Sequence, residues 1–278
     1  MTRMLKEALK EVLSEDELKE VYSAFDVIGD IAVIKIPEKM NDRKKIIADA
    51  ILSKVKPVKT IMMQSSPVQG DFRVRDVEHI GGENKTVTIY KEHSCKFKVD
   101  LAKVYFSPRL STERARIAKL VNDGEVILNM FAGVCTFSIV IAKKHQCKVY
   151  SIDLNPDAYA LCVENTKINK VDDRVIPMLG DAKEIIEHEL RDMSDRVLMP
   201  LPERAKEYLP YAVMAARHNG IIHYFSHVHA DSKKESLGVC AEELAVLMNA
   251  KYELITSRVV REVGPRFYQV VADLRIHK

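Results

Sequence analysis

From residue 111 onward the chain alternates short apolar runs of strand length with stretches of helical periodicity, without an internal sequence repeat. Ser111-x-Glu113 opens a helix through Ala115, Ile117, Ala118 and Val121, followed by a strand, Val126-Ile127-Leu128-Asn129-Met130-Phe131. A helix through Lys144 leads to Lys148-Val149-Tyr150-Ser151-Ile152-Asp153, and a helix from Ala158 to Asn169 leads to Val175-Ile176-Pro177-Met178-Leu179. Arg196-Val197-Leu198-Met199 and a helix from about Tyr208 precede Gly220-Ile221-Ile222-His223-Tyr224-Phe225. Two closing strands are expected at Tyr252–Ile255 and Tyr268–Leu274. Parallel strands need crossover helices, so this alternation predicts an α/β fold with a mostly parallel, doubly wound sheet covered on both faces.

The first part follows a different rhythm. Met4, Leu5, Ala8, Leu9, Val12 and Leu13 keep a helical period, and Ser14-x-x-Glu17 is a capping box for a second short helix. Strands are expected at Gly29–Pro37 and Thr60–Met63, with a helix between them from Asn41-Asp42 to about Val55. Gln64–Gly70 reads as a loop, and Thr86–Tyr90 with Cys95–Val99 as a hairpin. This predicts a small α+β domain over residues 1–110, ahead of the doubly wound domain at 111–278.

Composition excludes several classes. No apolar run approaches the roughly 18 residues of a membrane span, and the start returns to charge at Lys6-Glu7 without a signal-peptide core. Ten glycines in 278 residues argue against collagen-like and low-complexity designs. The five cysteines form no C-x-x-C pair, so free thiols and the cytoplasm are expected, and a zinc ribbon is not. Residues 1–110 hold 20 Lys+Arg against 17 Asp+Glu, and residues 111–278 hold 23 against 23. The whole cationic surplus therefore lies in the first part, which is compatible with a phosphate-contacting module and equally with an ordinary solvated surface.

In doubly wound sheets ligands bind at the carboxyl ends of the strands. The first such end carries Met130-Phe131-Ala132-Gly133-Val134, small residues in a tight turn; the second carries Asp153, the third Gly180-Asp181, and the fourth Pro200-Leu201-Pro202. An acid after the second strand suits a ribose diol, because a carboxylate accepts from two hydroxyls. G-x-G-x-x-G is absent, so no pyrophosphate cradle is indicated. Asp181 can accept from the exocyclic amine of adenine. Each Asp alone is also a plausible helix cap, but ribose and adenine without phosphates describe S-adenosylmethionine. His223, His227 and His229 have no acid partner at ligand spacing, and no metal is expected.

Asn129–Val134, Ile152-Asp153-Leu154-Asn155-Pro156 and Gly180-Asp181-Ala182 resemble the cofactor motifs of the archaeal and eukaryotic tRNA (guanine-N1-)-methyltransferases that modify position 37. The resemblance continues in Val104-Tyr105-Phe106-Ser107-Pro108-Arg109-Leu110-Ser111-Thr112-Glu113-Arg114, and Gly29–Ala32 and Arg73…Glu78 resemble the domain that precedes the catalytic one. It implies a Rossmann-like class I methyltransferase that uses S-adenosylmethionine and acts as a monomer on the anticodon loop of tRNA at G37. An archaeal form without the family's additional amino-terminal domain is expected.

Guanine N1 carries a proton, and charge grows on O6 as that proton leaves. A carboxylate base and an O6 donor are therefore needed. The resemblance assigns these to Glu113 and Arg73, with Arg75 a rival for the second, and assigns Pro202 to the catalytic pocket. It places Arg114, Phe131, Gly133, Asp153, Leu154, Asn155, Asp181, Ala182, Pro200 and Leu201 at the cofactor, and Tyr105, Ser107 and Arg109 at the substrate. The sequence departs from the family where Pro200 replaces Asn, Asn129 replaces Asp, and Cys135-Thr136 replace Gly-Pro. Competing readings are the aminocarboxypropyl transferase of wybutosine synthesis, a C-methylase of the tricyclic intermediate, and a non-catalytic RNA-binding protein of the same fold.

Overall fold

A computed structural model describes residues 2–20, 25–64 and 76–278. The expected loop at 65–70, and Arg73 and Arg75 with it, lie outside the described residues. The chain divides into two compact units, Met1–Arg109 and Leu110–Lys278.

In the first unit, α1 (Thr2–Leu9) and α2 (Glu15–Glu20) precede a hairpin of β1 (Asp26–Ile28) and β2 (Ile31–Ile34). The capping box forms as expected: Glu17 N donates to Ser14 Oγ at 3.2 Å, and Ser14 N to Glu17 Oε2 at 2.8 Å. A 3-10 turn over Glu38–Arg43 feeds α3 (Lys44–Lys54), followed by β3 (Thr60–Gln64) and β4 (Val77–Gly82). These strands form one sheet in the order β1-β2-β3-β4, parallel only at β2–β3. β5 (Val87–Glu92) and β6 (Cys95–Asp100) form the expected hairpin. Leu5, Leu9, Ala32, Ile34, Ile47, Ile51 and Ile61, from α1, β2, α3 and β3, pack into the core of this unit.

Gly29 makes the β1–β2 turn at φ +59°, where a Cβ would lie 2.2 Å from Thr88 Oγ1. Glycine is required there by both conformation and space. The neighbouring Asp30 accepts from Thr88 Oγ1 at 2.7 Å and from Lys85 Nζ at 2.6 Å, tying the turn to β5. A groove of about 800 Å³ runs beside this latch, lined by Asp30, Lys85, Ile89, Tyr90, Lys91 and Lys98 among others.

The second unit alternates as its periodicity requires: α4 (Ser111–Leu120), β7 (Val126–Asn129), α5 (Thr136–Ala142), β8 (Lys148–Asp153), α6 (Pro156–Asn169), β9 (Val175–Leu179) and α7 (Ala182–Glu189). Then come β10 (Ser194–Met199), α8 (Ala205–Ala215), β11 (Ala216–His229), α9 (Lys233–Leu247), β12 (Lys251–Gly264) and β13 (Phe267–His277). The sheet order is β12-β13-β11-β10-β7-β8-β9, parallel from β11 to β9 and antiparallel where β13 inserts between β12 and β11. Order reverses between β7 and β10, which makes the ends of β7, β8, β9 and β10 the ligand-binding crevice of this topology.

The structure corrects the sequence expectations in several places. β1, β4, α7 and α9 are additions, and the strand expected from Gly29 begins only at Ile31, after the turn; α9 carries its own start signal, since Ser232 Oγ accepts from Glu235 N at 3.2 Å. His223 and Tyr224 do not end their strand: β11 runs on to His229, leaving both fully buried in mid-strand. The free-thiol expectation fails for one pair, as Cys135 and Cys162 form a disulfide with Cα atoms 5.1 Å apart. Packing of α6 beside the turn into α5 brings these two together, and sequence spacing carries no sign of that. Cys95, Cys147 and Cys240 are buried and form no disulfide. No described helix is long and apolar enough to cross a membrane.

Candidate active site

The end of β7 is built for a close approach of backbone. Ala132 N donates to Ile152 O at 2.8 Å, Gly133 takes φ +55°, and Cys135 caps α5 in the left-handed region at φ +66°. Asn129 is buried beneath this turn, its Nδ2 donating to Ser138 Oγ at 3.1 Å and its Oδ1 accepting from Phe131 N at 3.4 Å.

Asp153 ends β8 and grips the turn. Its Oδ2 accepts from Gly133 N at 2.6 Å and its Oδ1 from Asn155 N at 3.0 Å. Burial pushes the Asp153 carboxyl up, and these two backbone donors pull it back. Each oxygen keeps a second lone pair, so a diol can still be accepted. Asn155 caps α6 through Asp157 N at 2.9 Å, while Leu154 beside it is 44% exposed. Exposed apolar surface next to an acid with spare acceptors fits a ribose carrying an apolar base.

At the end of β9, Asp181 is a helix cap after all: its Oδ1 accepts from Lys183 N at 2.8 Å, with Ala182 buried behind it. Both of its oxygens also accept from the Tyr208 hydroxyl. Tyr208 packs edge-on to Phe131 with ring centroids 5.0 Å apart, and Lys183 Nζ lies 4.7 Å above its ring. The phenol is pushed well above its usual range by burial and by the Asp181 charge. Sequence reasoning missed Tyr208, because nothing local aims a residue of α8 at β9. Pro200, Leu201 and Pro202 follow β10; Leu201 O and Pro202 O accept from Arg204 N and Ala205 N, the start of α8.

Glu113 lies in the first turn of α4 and is 2% exposed. Arg116 Nε donates to its Oε1, and Arg258 Nη1 on β12 lies 3.4 Å from its Oε2. Arg116 also grips Asp273, through Nη1 to Oδ2 at 2.6 Å and Nη2 to Oδ1 at 3.1 Å. Arg114 turns the other way and is buried, its guanidinium 5.9 Å from the Phe137 ring centroid. Arg116, Arg258 and Asp273 were not found from sequence; only Arg116, three residues after Glu113 on one helix face, carries a readable signal.

The structure therefore gathers Phe131, Gly133, Asp153, Leu154 and Asn155 at one corner, Asp181 and Ala182 at the adjacent strand end, and Glu113 among guanidiniums. Tyr105, Ser107 and Arg109 belong to the first unit, where Ser107 is buried and Arg109 Nε pairs with Asp26 at 2.8 Å. Among the described residues no cluster of three or more His, Cys, Asp or Glu is placed to hold a metal.

Comparison with known proteins shows the family of the chain. Residues 88–246 match the model of the TRM5/TYW2 methyltransferase domain, and residues 5–86 that of the TYW2 N-terminal domain. The chain is 42% identical over 257 residues to tRNA (guanine(37)-N(1))-methyltransferase Trm5b of Pyrococcus abyssi, covering 91% of this chain and 75% of that one. It is 36% identical over 260 residues to tRNA 4-demethylwyosine(37)-methyltransferase Taw21 of Saccharolobus solfataricus, covering 92% and 95%. A solved complex of aTrm5 and tRNALeu superposes with a TM-score of 0.86 at 33% identity, over 100% of this chain and 79% of that one.

Proposed function

The chain belongs to the TRM5/TYW2 methyltransferase family, and from that premise we propose that it transfers a methyl group from S-adenosylmethionine to N1 of guanine 37 in tRNA. The single observation that carries the reaction is a buried carboxylate, Glu113, with one oxygen engaged by Arg116 and the other turned toward the half-exposed Arg258.

Asp153 holds the ribose through the lone pairs that Gly133 N and Asn155 N leave unused, with Leu154 against the base. Asp181 accepts from the adenine amine, and Phe131, braced by Tyr208, walls the site. S-Adenosylmethionine, when bound, supplies an electrophilic methyl whose departure leaves a neutral thioether. Glu113 Oε2 takes the N1 proton, so that the N1 lone pair becomes available in the ring plane as the new N–C bond forms. Negative charge passes to O6, which the resemblance gives to Arg73. Pro202 shapes the pocket at the end of β10, Arg114 backs the cofactor corner, and Tyr105, Ser107 and Arg109 serve the nucleotide.

The cationic surplus of residues 1–110 supports that domain as the tRNA-facing one, with residues 111–278 catalytic. The protein acts as a monomer in the cytoplasm on an anticodon loop whose target base is extruded into the site. The testing experiment is incubation with methyl-labelled S-adenosylmethionine and a G37 transcript, followed by nucleoside mass analysis. Label on N1-methylguanosine is expected. A labelled aminocarboxypropyl group, or label found only on a tricyclic substrate, overturns the assignment.

A further inference from the structure

Behind Glu113 runs a buried chain of charges that the transfer reaction as described does not use. Arg116 is gripped by Glu113 on one side and by both oxygens of Asp273 on the other. Asp273 Oδ1 lies 2.6 Å from His223 Nδ1, and His223 Nε2 lies 2.8 Å from Arg196 Nη1. Arg196 is in turn held by Glu125, at 2.9 and 3.1 Å, and by Leu120 O at 2.8 Å. His223 is 0% exposed, and Asp273 and Arg196 are 3% exposed each.

The hydrogen-bond directions along this chain are fixed. A guanidinium only donates, so His223 Nε2 must accept from Arg196, and the imidazole is neutral with its proton on Nδ1. It donates that proton to Asp273. Burial, with Arg196 and Arg116 nearby, holds the imidazole below its usual range. Burial also opposes the charge on Asp273, yet hydrogen bonds from His223 and Arg116 override it and hold this carboxyl well below the carboxylate range. Asp273 is therefore a permanent anion with one remaining duty, which is to hold Arg116.

Such an arrangement is a costly way to stabilise a fold, since well-packed apolar residues of similar volume commonly do as well or better. Its consequences for Glu113 are specific. The Arg116 fork, locked by Asp273, fixes Oε1 and thereby aims Oε2. Asp273 also compensates the Arg116 charge, so that when Glu113 takes a proton no unpaired guanidinium is left behind.

We propose that Arg116 is the positioning residue of Glu113, and that Asp273, fixed by His223, anchors Arg116. This rests on the reading of Glu113 as the base. The charged groups facing Glu113 are Arg116 from its own helix and Arg258 from β12, with Asp273 and His223 behind Arg116.

The test is single-turnover methyl transfer on full-length protein at saturating tRNA and S-adenosylmethionine, with the KM for tRNA measured beside it. Arg116→Gln is expected to slow the step roughly 10–100-fold, the scale of a misplaced catalytic group, with the KM for tRNA within about threefold of wild type. Asp273→Asn, which loosens the Arg116 fork, is expected to slow the step in the same way. A slower step at an unchanged KM is not expected of two merely structural residues. In a Glu113→Gln background, Arg116→Gln should add almost nothing. An equal slowing in both backgrounds, or a KM that rises as the rate falls, overturns the proposal while leaving Glu113 as the base. A near-normal rate for Glu113→Gln alone overturns the base reading instead. If Arg116→Gln does not fold, Arg116→Lys, which keeps the charge without the fork, should retain the wild-type KM at a reduced rate; a wild-type rate then counts against the proposal.

Discussion

The Tyr208 hydroxyl donates to both carboxylate oxygens of Asp181, at 3.0 Å each, on the carboxylate assigned to the adenine amine. Oδ2 keeps a second lone pair for that amine. Tyr208→Phe keeps the edge contact with Phe131 and removes the bond from the phenol. It is expected to destabilise the fold by about 1.5–3 kcal/mol, the range for a hydrogen bond to a charged group, without weakening S-adenosylmethionine binding. Calorimetry paired with urea unfolding checks both halves. A tenfold weaker affinity would mean that the hydroxyl itself contacts the ligand.

Asp153 grips the Gly133 turn from one side and faces the ribose with its remaining lone pairs. Asp153→Ala is expected to lose roughly 1.5–3 kcal/mol of S-adenosylmethionine affinity, about 10- to 150-fold in Kd. Asp153→Asn, which keeps an acceptor for one of the two backbone donors, should lose less. Equal affinity in the alanine variant and wild type, measured by titration calorimetry, would remove Asp153 from the ribose.

The groove beside the Asp30 latch carries Lys85, Lys91 and Lys98, with Lys85 bridging Asp30 and Glu83. The Lys91→Glu/Lys98→Glu double variant is expected to weaken tRNA binding and to flatten the slope of log K against log salt by about one to two, one unit per lost phosphate contact. S-Adenosylmethionine affinity should not change. An unaltered slope would place the phosphate contacts elsewhere on the domain.

Stability should fall on mild acidification because of His223. Its folded pKa lies below the unfolded value of about 6.5. Between the two the unfolded chain binds more protons, so stability rises with pH and is lost as pH drops below the unfolded pKa. His223→Gln removes this term. Urea midpoints at pH 7.5 and 5.5 should lie closer together in the variant than in wild type, and an unchanged gap would exclude His223 as the source.

The Cys135–Cys162 disulfide joins the turn after Gly133 to α6 across 27 residues. Closing a loop of that length stabilises by roughly 3–4 kcal/mol in the chain-entropy model. Reduction, or the Cys135→Ser/Cys162→Ser double variant, is expected to lower Tm measurably, because the loop it closes spans the cofactor corner and α6. Matching melts of oxidised and reduced protein would show that the bond contributes nothing.

What the sequence determined by itself was local. Apolar runs broken by helical periods specified the parallel sheet, because only crossover helices join parallel strands. That alternation in turn put Phe131, Asp153 and Asp181 after the carboxyl ends of successive strands, and Ser14-x-x-Glu17 specified a helix start. What only the tertiary structure decided are contacts between residues far apart in the chain. His223 meets Asp273 because β13 inserts antiparallel beside β11 in a register that pairs those two residues directly. Nothing within fifty residues of either announces that register. Tyr208 reaches Asp181, and Cys135 reaches Cys162, through the way α8 and α6 lie on the sheet. Periodicity fixes which face of an element is buried, but which buried polar group meets which is fixed by strand order and register, and those are settled by the packing of the whole domain.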